Sequence, residues 1–204
     1  PEGLPVKVEW ILTDIQVPYT MEFLVRNDGS LQVSGTMDMT GKKLPELPRF
    51  GMRMELAGRY ENLCYYGRGP QENYIDRWSS AFVGRYEDKV ENQYYPYARP
   101  QETGNKTDVR WLSLSDGEGT EVEITGVSQP IAFSALHYAP EDLDPGLTRK
   151  MQHTIDAIPQ KDVFLHVDLK QRGLGGDNSW GMFPYNPYRL WDKKYSYSYL
   201  IRLK

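Results

Sequence analysis

Tyr19-Thr20-Met21-Glu22-Phe23-Leu24-Val25, then Asn27-Asp28-Gly29-Ser30, then Leu31-Gln32-Val33-Ser34-Gly35-Thr36-Met37-Asp38-Met39 is the stretch that decides the fold class. Apolar and polar side chains alternate on both sides of four residues with turn chemistry, which reads as two antiparallel strands joined in a hairpin. Upstream, Val6-Lys7-Val8-Glu9-Trp10 alternates in the same way. Downstream, Asp108 to Ser115 and Thr120 to Thr125 flank Asp116-Gly117-Glu118-Gly119, a second hairpin by composition, and Ile131 to Tyr138, Val163 to Lys170 and Tyr195 to Leu203 add further strands. Helical periodicity is confined to Pro140 through Ile158, where Leu143, Leu147 and Met151 recur at four-residue spacing around the breaker Pro145-Gly146, so a turn or two of helix is the most expected there. The 14 Pro and 18 Gly sit mostly between strand candidates and punctuate the chain at the spacing an antiparallel sandwich requires. No repeat, low-complexity tract or linker interrupts residues 1–204, which therefore read as a single all-β domain, an antiparallel β-sandwich.

Composition narrows the function. With 204 residues, 39% hydrophobic and 25% charged, and with 5 Trp, 15 Tyr and 6 Phe, the chain can build a real core. A formal net charge of −4 provides no basic field for a polyphosphate, so nucleic acid is not an expected partner. The longest apolar stretches, such as Ile131 to Leu136, fall far short of the ~20 residues that span a bilayer, and no basic-then-apolar leader opens the chain. No membrane partner is expected, and a soluble protein of the cytoplasm or the periplasm fits equally. A start at Pro1-Glu2-Gly3 without an initiator Met is expected of a fragment of a longer chain. The lone Cys64 excludes an internal disulfide framework and a Cys-based zinc site, and His137, His153 and His166 lack metal-ligand spacing, so no metal site is expected. Nucleophile elbow, Walker loop and Rossmann fingerprint are all missing, since Gly173, Gly175 and Gly176 precede neither a helix nor a βαβ pattern.

Three segments read as neither plain strand nor simple turn: Tyr65 to Trp78, Tyr94 to Asn105 and Gln171 to Gly181. In the third, glycines on both sides of Asp177-Asn178-Ser179-Trp180 permit backbone with positive φ, and such a loop can present an indole outward. Trp180 beside Asp177 and Asn178 has the composition of a sugar subsite: the ring stacks on the apolar face of a pyranose while the carboxylate and amide take its hydroxyls. The plainer alternative is a Trp tucked under its own loop, with Asp-Asn-Ser forming a turn. In the first two segments Arg68, Glu72, Asp76 and Arg77, and likewise Glu102, Asn105 and Arg110, are secondary candidates whose commoner meaning is an Arg–carboxylate network pinning two loops together. Glu121 and Glu123 share one strand face and read as solvent-facing.

At these loops the chain resembles the C-terminal, small-chain domain of the β-galactosidases of glycoside hydrolase family 2. The resemblance is carried by Leu44-Pro45-Glu46-Leu47-Pro48-Arg49-Phe50-Gly51, by Gly67 to Arg77, by Arg99 to Asn105 and by Gly173-Leu174-Gly175-Gly176-Asp177-Asn178-Ser179-Trp180, in the family's order, and extends from about Trp10 to Lys204. It implies a sandwich of the galactose mutarotase-like supersandwich type, short of its N-terminal strands. It also implies a division of labour: hydrolysis with retention by two glutamates on a separate (β/α)8 barrel, outside this chain, and a terminal domain that folds over the barrel mouth and lends Trp180 to the place where the leaving sugar sits. The chain itself then holds no catalytic residue and no cofactor, magnesium and sodium ions belonging to the parent enzyme. Its implied partners are a β-galactoside or other carbohydrate and the catalytic barrel. Sheet edges without their early strands are expected to be open to homo-oligomer formation, and the surface facing the barrel to be bare. Two alternatives stand beside this reading: a free-standing carbohydrate-binding module, and a mutarotase-like aldose epimerase using a His with a Glu as acid and base.

Overall fold

The computed structural model describes residues 3–144, 146, 153–175 and 181–204. Among the described residues twelve antiparallel strands form two sheets that do not close into a barrel. They are β1 (Gly3–Leu12), β2 (Val17–Arg26), β3 (Leu31–Asp38), β4 (Arg49–Leu56), β5 (Asn62–Gly69), β6 (Phe82–Lys89), β7 (Lys106–Val109), β8 (Trp111–Ser115), β9 (Glu121–Val127), β10 (Ile131–Leu136), β11 (Val163–Gln171) and β12 (Lys194–Leu203). The larger sheet runs β1-β2-β3-β12-β9-β8-β5-β6 and the smaller β4-β11-β10-β7. Among the described residues, helix is found as α1 (Pro140–Leu143) and as short 3-10 turns at Val90–Gln93, Thr154–Asp156 and Asn186–Tyr188. The two short pieces at 140–143 and 154–156 agree with the helical content expected for that region. No described helix is long and apolar enough to cross a membrane.

The first hairpin forms for the reason its sequence suggests. Arg26 N–H donates to Ser30 O at 2.8 Å, Asp28 Oδ1 accepts from Ser30 N–H at 3.0 Å, and Gly29 supplies the φ of 82° that closes the turn. Alternation then puts Val33 and Met37 of β3 into the space between the sheets, where they meet Tyr65, Leu112, Ile124 and Tyr199 from the larger sheet and Val109, Phe133, Leu165 and Val167 from the smaller. Each such fully buried aliphatic or aromatic side chain contributes roughly 1.5–3 kcal/mol of transfer free energy. The sheets come close enough at Gly67 that a Cβ there would lie 2.6 Å from Val109 Cγ2.

Two expectations are corrected. The run Asp108 to Ser115 is not one strand: β7 pairs with β10 in the smaller sheet, while β8 pairs with β5 and β9 in the larger. The chain crosses at Arg110, between β7 and β8, just after a register shift in β7 where Asp108 has a left-handed φ of 54° and its carboxylate is held by Arg68 Nε at 2.6 Å. The segment Tyr65 to Trp78 is likewise not loop throughout, because Tyr65 to Gly69 complete β5, with Tyr65 buried in the core. Strands β4, β5 and β6 lie outside the strand candidates read from the sequence.

Candidate functional site

The first two segments of interest and the described part of the third, 171–175, are fastened by four carboxylates. Glu72 is the first. Its Oε1 accepts from Arg77 Nη2 at 2.5 Å and from Tyr97 Oη, and its Oε2 accepts from Thr103 Oγ1 at 3.1 Å and Gly104 N–H at 2.7 Å. One carboxylate thus ties the segment after β5 to the segment before β7. Asn73 and Asn105 repeat the tie in the backbone: Asn73 N–H donates to Asn105 O, Asn105 Nδ2 donates to Asn73 O, both at 2.8 Å, and Asn73 Oδ1 accepts from Thr107 N–H at 3.0 Å. Beneath them Lys106 is buried, donating to Gln93 Oε1 at 2.9 Å, and burial pulls its ammonium down to about 8. A cleft of about 660 Å³ opens above this knot, lined among others by Glu72, Arg77, Asp88, Tyr95, Tyr97 and Lys106.

Asp168 is the second. Core residues Val163, Leu165 and Val167 alternate along β11 with Phe164, His166 and Asp168, which face away from the core and are covered by the loops. Asp168 is opposite Gly51 of β4, where a Cβ would fall 1.9 Å from Asp168 Oδ1. The carboxylate is fully enclosed, and burial pushes it up to about 7 against the opposing influence of Arg49, whose Nε lies 2.9 Å from Oδ2 as an ion pair without hydrogen-bond alignment. Arg49 Nη2 also donates to Glu102 Oε1 at 3.0 Å and Gln171 Oε1 at 2.6 Å. Glu102 is itself raised, chiefly by burial, with Arg49 pulling it back. One guanidinium therefore serves two carboxylates at the rim of a pocket of about 540 Å³ that Arg172 and Leu174 complete.

Glu46 and Asp76 hold the glycine-rich segment. Glu46 accepts from Arg189 Nε at 2.6 Å and from Arg172 Nη1 at 3.0 Å, so one side chain grips the stretch on both sides of the loop, and the Arg189 and Arg172 contacts hold its carboxyl below the usual range. Asp76 Oδ2 accepts from Gly175 N–H at 2.9 Å. Gly173 allows this approach, since a Cβ there would lie 2.6 Å from Asp76 Cγ, and Gly175 turns the chain with φ at 84°. Beyond the loop Met182, Phe183, Tyr185 and Trp191 are exposed, and Phe183 receives the Arg189 guanidinium at 4.5 Å. A smaller cavity of about 340 Å³ between Asp76, Gly175 and Phe183 adjoins them.

Trp180, Asp177 and Asn178 lie outside the described residues. Of the secondary candidates, Glu72 and Arg77 meet as an ion pair; Asn105 is buried in the same knot; Glu102 belongs to the Arg49 cluster. The network reading of these loops is what their geometry displays. The histidines are engaged separately: His137 Nε2 with Glu61 at 2.7 Å, His153 Nδ1 with Asp156 at 3.5 Å, and His166 Nδ1 with Ser134 at 3.2 Å, where burial lowers His166 to about 3. Among the described residues no three His, Cys, Asp or Glu side chains gather as metal ligands would.

The sequence model of the family described as β-galactosidase small chain matches residues 4–201. The chain belongs to that family. It is 32% identical over 199 residues to a β-galactosidase of Priestia megaterium, covering 98% of this chain and 18% of that protein. It is 35% identical over 179 residues to a β-galactosidase of Halalkalibacterium halodurans, and 34% identical over 185 residues to β-galactosidase BgaC of Bifidobacterium adolescentis, in each case over 87% of this chain and 17% of the relative. The small-chain domain thus spans less than a fifth of the length of these relatives. Its fastening residues Arg49, Asp168, Gln171 and Arg189 were not among the sequence candidates. Glu46 and Arg49 stood inside a quoted motif, which was the available signal; Asp168 carried none, being one acid in a strand-like run.

Proposed function

We propose that this chain is the terminal small-chain sandwich of a β-galactosidase and that it shapes the aglycone side of the sugar site without performing hydrolysis. Family membership over residues 4–201 is the observation that carries this reading. The arrangement at Glu46 and Asp76 supports it: the residues flanking the segment that contains Trp180 are held by ion pairs at Arg172 and Arg189 and a backbone hydrogen bond at Gly175, as a platform for a flat ligand requires. In this reading Trp180 stacks on the leaving sugar, Asp177 and Asn178 take its hydroxyls, and the two catalytic glutamates stand on another domain.

Two measurements test it. The isolated chain should leave an o-nitrophenyl galactoside intact; substantial turnover would show that the catalytic groups are here after all. In the full-length enzyme Trp180→Ala should weaken binding of glucose-like acceptors by roughly 2–12-fold, the loss of about 0.5–1.5 kcal/mol of stacking, with a smaller effect on galactose. Unchanged acceptor binding removes the role given to Trp180.

A further inference from the structure

The cleft of about 660 Å³ above the Glu72 knot falls in the size range of ligand sites, roughly 300–1,000 Å³. Its described lining contains no Leu, Ile, Val, Met, Phe or Trp; Pro70, Tyr94, Tyr95 and Tyr97 supply the apolar surface among carboxylates, amides and hydroxyls. A seat for another stretch of protein has an apolar centre depleted of charge, whereas here the buried Lys106 stands in the lining itself. The charges of the lining are answered within the fold. Glu72 pairs with Arg77, and Asp76 accepts from Gly175 N–H. Asp88 accepts from Asn92 Nδ2 at 2.8 Å and Gln93 Nε2 at 2.9 Å, which leaves Gln93 Oε1 and Gly104 O to take the Lys106 ammonium at 2.9 Å and 3.3 Å. No spare charge is left to select an ion. What stays open are single donors and acceptors on exposed side chains. Gln71 Nε2 donates to Ser80 O at 2.9 Å and Ser80 Oγ at 3.2 Å, leaving Gln71 Oε1 to accept and the Ser80 hydroxyl to donate, and Asn92 keeps Oδ1 to accept. Tyr95 adds a flat face. It is 56% exposed, its N–H donates to Thr103 Oγ1 at 3.0 Å, and its ring lies against Tyr97 with centroids 4.5 Å apart. Tyr97 is fixed in turn by Arg77 Nη2 at 2.9 Å, so the platform is braced before a ligand arrives.

We propose that this cleft is a carbohydrate subsite in its own right, taking a neutral hexose unit whose apolar ring face lies on Tyr95 and whose hydroxyls reach Gln71, Ser80 and Asn92. A sugar hydroxyl donates and accepts at once, which matches the mixture of groups left open, and its neutrality matches a lining whose ions are paired among themselves. The stacking ring stands at the wall and the polar groups beside it, the arrangement that lets a pyranose use both of its surfaces. The site is built from residues 70–106 and does not include Trp180. It can therefore fail while the aglycone reading stands, and the reverse.

The test uses the full-length enzyme with its catalytic centre capped by a 2-fluoro galactoside, and follows lactose and cellobiose by saturation-transfer NMR. Saturable binding of at least one of the two should persist in the capped enzyme. Tyr95→Ala should weaken it roughly 2–12-fold and Tyr95→Trp should retain it, since stacking needs the ring and not the hydroxyl. Ser80→Phe, which fills the cleft from an exposed position, should abolish it, and Trp180→Ala should leave it in place. Melting temperatures of the Tyr95 and Ser80 variants should stay at the wild-type value, because both side chains are exposed and neither carries the core. No saturable binding in the capped enzyme, binding indifferent to Tyr95→Ala and Ser80→Phe, or binding lost with Trp180→Ala each overturns the proposal.

Discussion

The loop end of the sandwich and its β1 edge solve opposite problems. At the loop end, Glu46, Glu72 and Asp168 are each matched by guanidinium groups, hydroxyls or backbone N–H groups, and charge is enclosed only where a partner stands beside it. Along β1 the side chains facing the sandwich are apolar, and the smaller sheet leaves them uncovered. Polar networks of the first kind fix direction, because removing one member strands the others; apolar strips of the second kind fix only adjacency, because any complementary surface satisfies them. The loop end is thus built to hold a geometry, whereas the β1 edge presents an apolar strip on the described surface.

The sharpest way to break this contrast is Arg49→Ala. It leaves the enclosed Asp168 and the half-buried Glu102 without their shared cation, and unfolding in urea should show a loss of about 3–5 kcal/mol. A loss under about 1 kcal/mol would mean that the carboxylates find relief elsewhere and that the cluster does not hold the loops.

A subtler change is Asp168→Asn. Burial lifts the folded Asp168 to about 7, above its ordinary 3.8, so between these values the folded chain keeps a proton that the unfolded chain has released. Stability should therefore fall as pH rises from about 4 toward 7, with Glu102 acting in the same direction, and Asp168→Asn should flatten much of that decline. Denaturation midpoints at about pH 5 and about pH 8 would check it; an undiminished slope in the variant would place the proton elsewhere.

Smallest of all is the expected response at the other region. Val6→Thr on β1, measured in dilute solution, should alter the unfolding free energy by no more than about 0.5 kcal/mol, as for an exposed strand position. A cost of several times that would mean the strip is already packed within one chain.

Much of the fold was legible because alternation and turn chemistry are local. Asn27-Asp28-Gly29-Ser30 states its hairpin within four residues, and β2, β3, β9, β11 and β12 follow from period two. The switch of sheets after Val109 was not legible, since the left-handed Asp108 just before it leaves no pattern and is held by an Arg from another strand. The site divides similarly. Glu72 and Arg77 are near neighbours in sequence and could be read as a pair, whereas Arg49 meets Asp168 only because β4 lies beside β11, with Gly51 making room. Aromatic density also hid β5, whose Tyr65 and Tyr66 looked like loop furniture but alternate between core and solvent.

Glu46 has one further consequence. By gripping Arg172 and Arg189 together it fixes the two ends of the intervening stretch at the moment the sandwich forms. The entropy of closing that stretch is then lost during folding, before any ligand is met. Preorganisation of this kind shows first in how long a ligand stays, so under the function proposed above loosening the Glu46 grip would shorten the residence of a sugar before it altered which sugars are accepted.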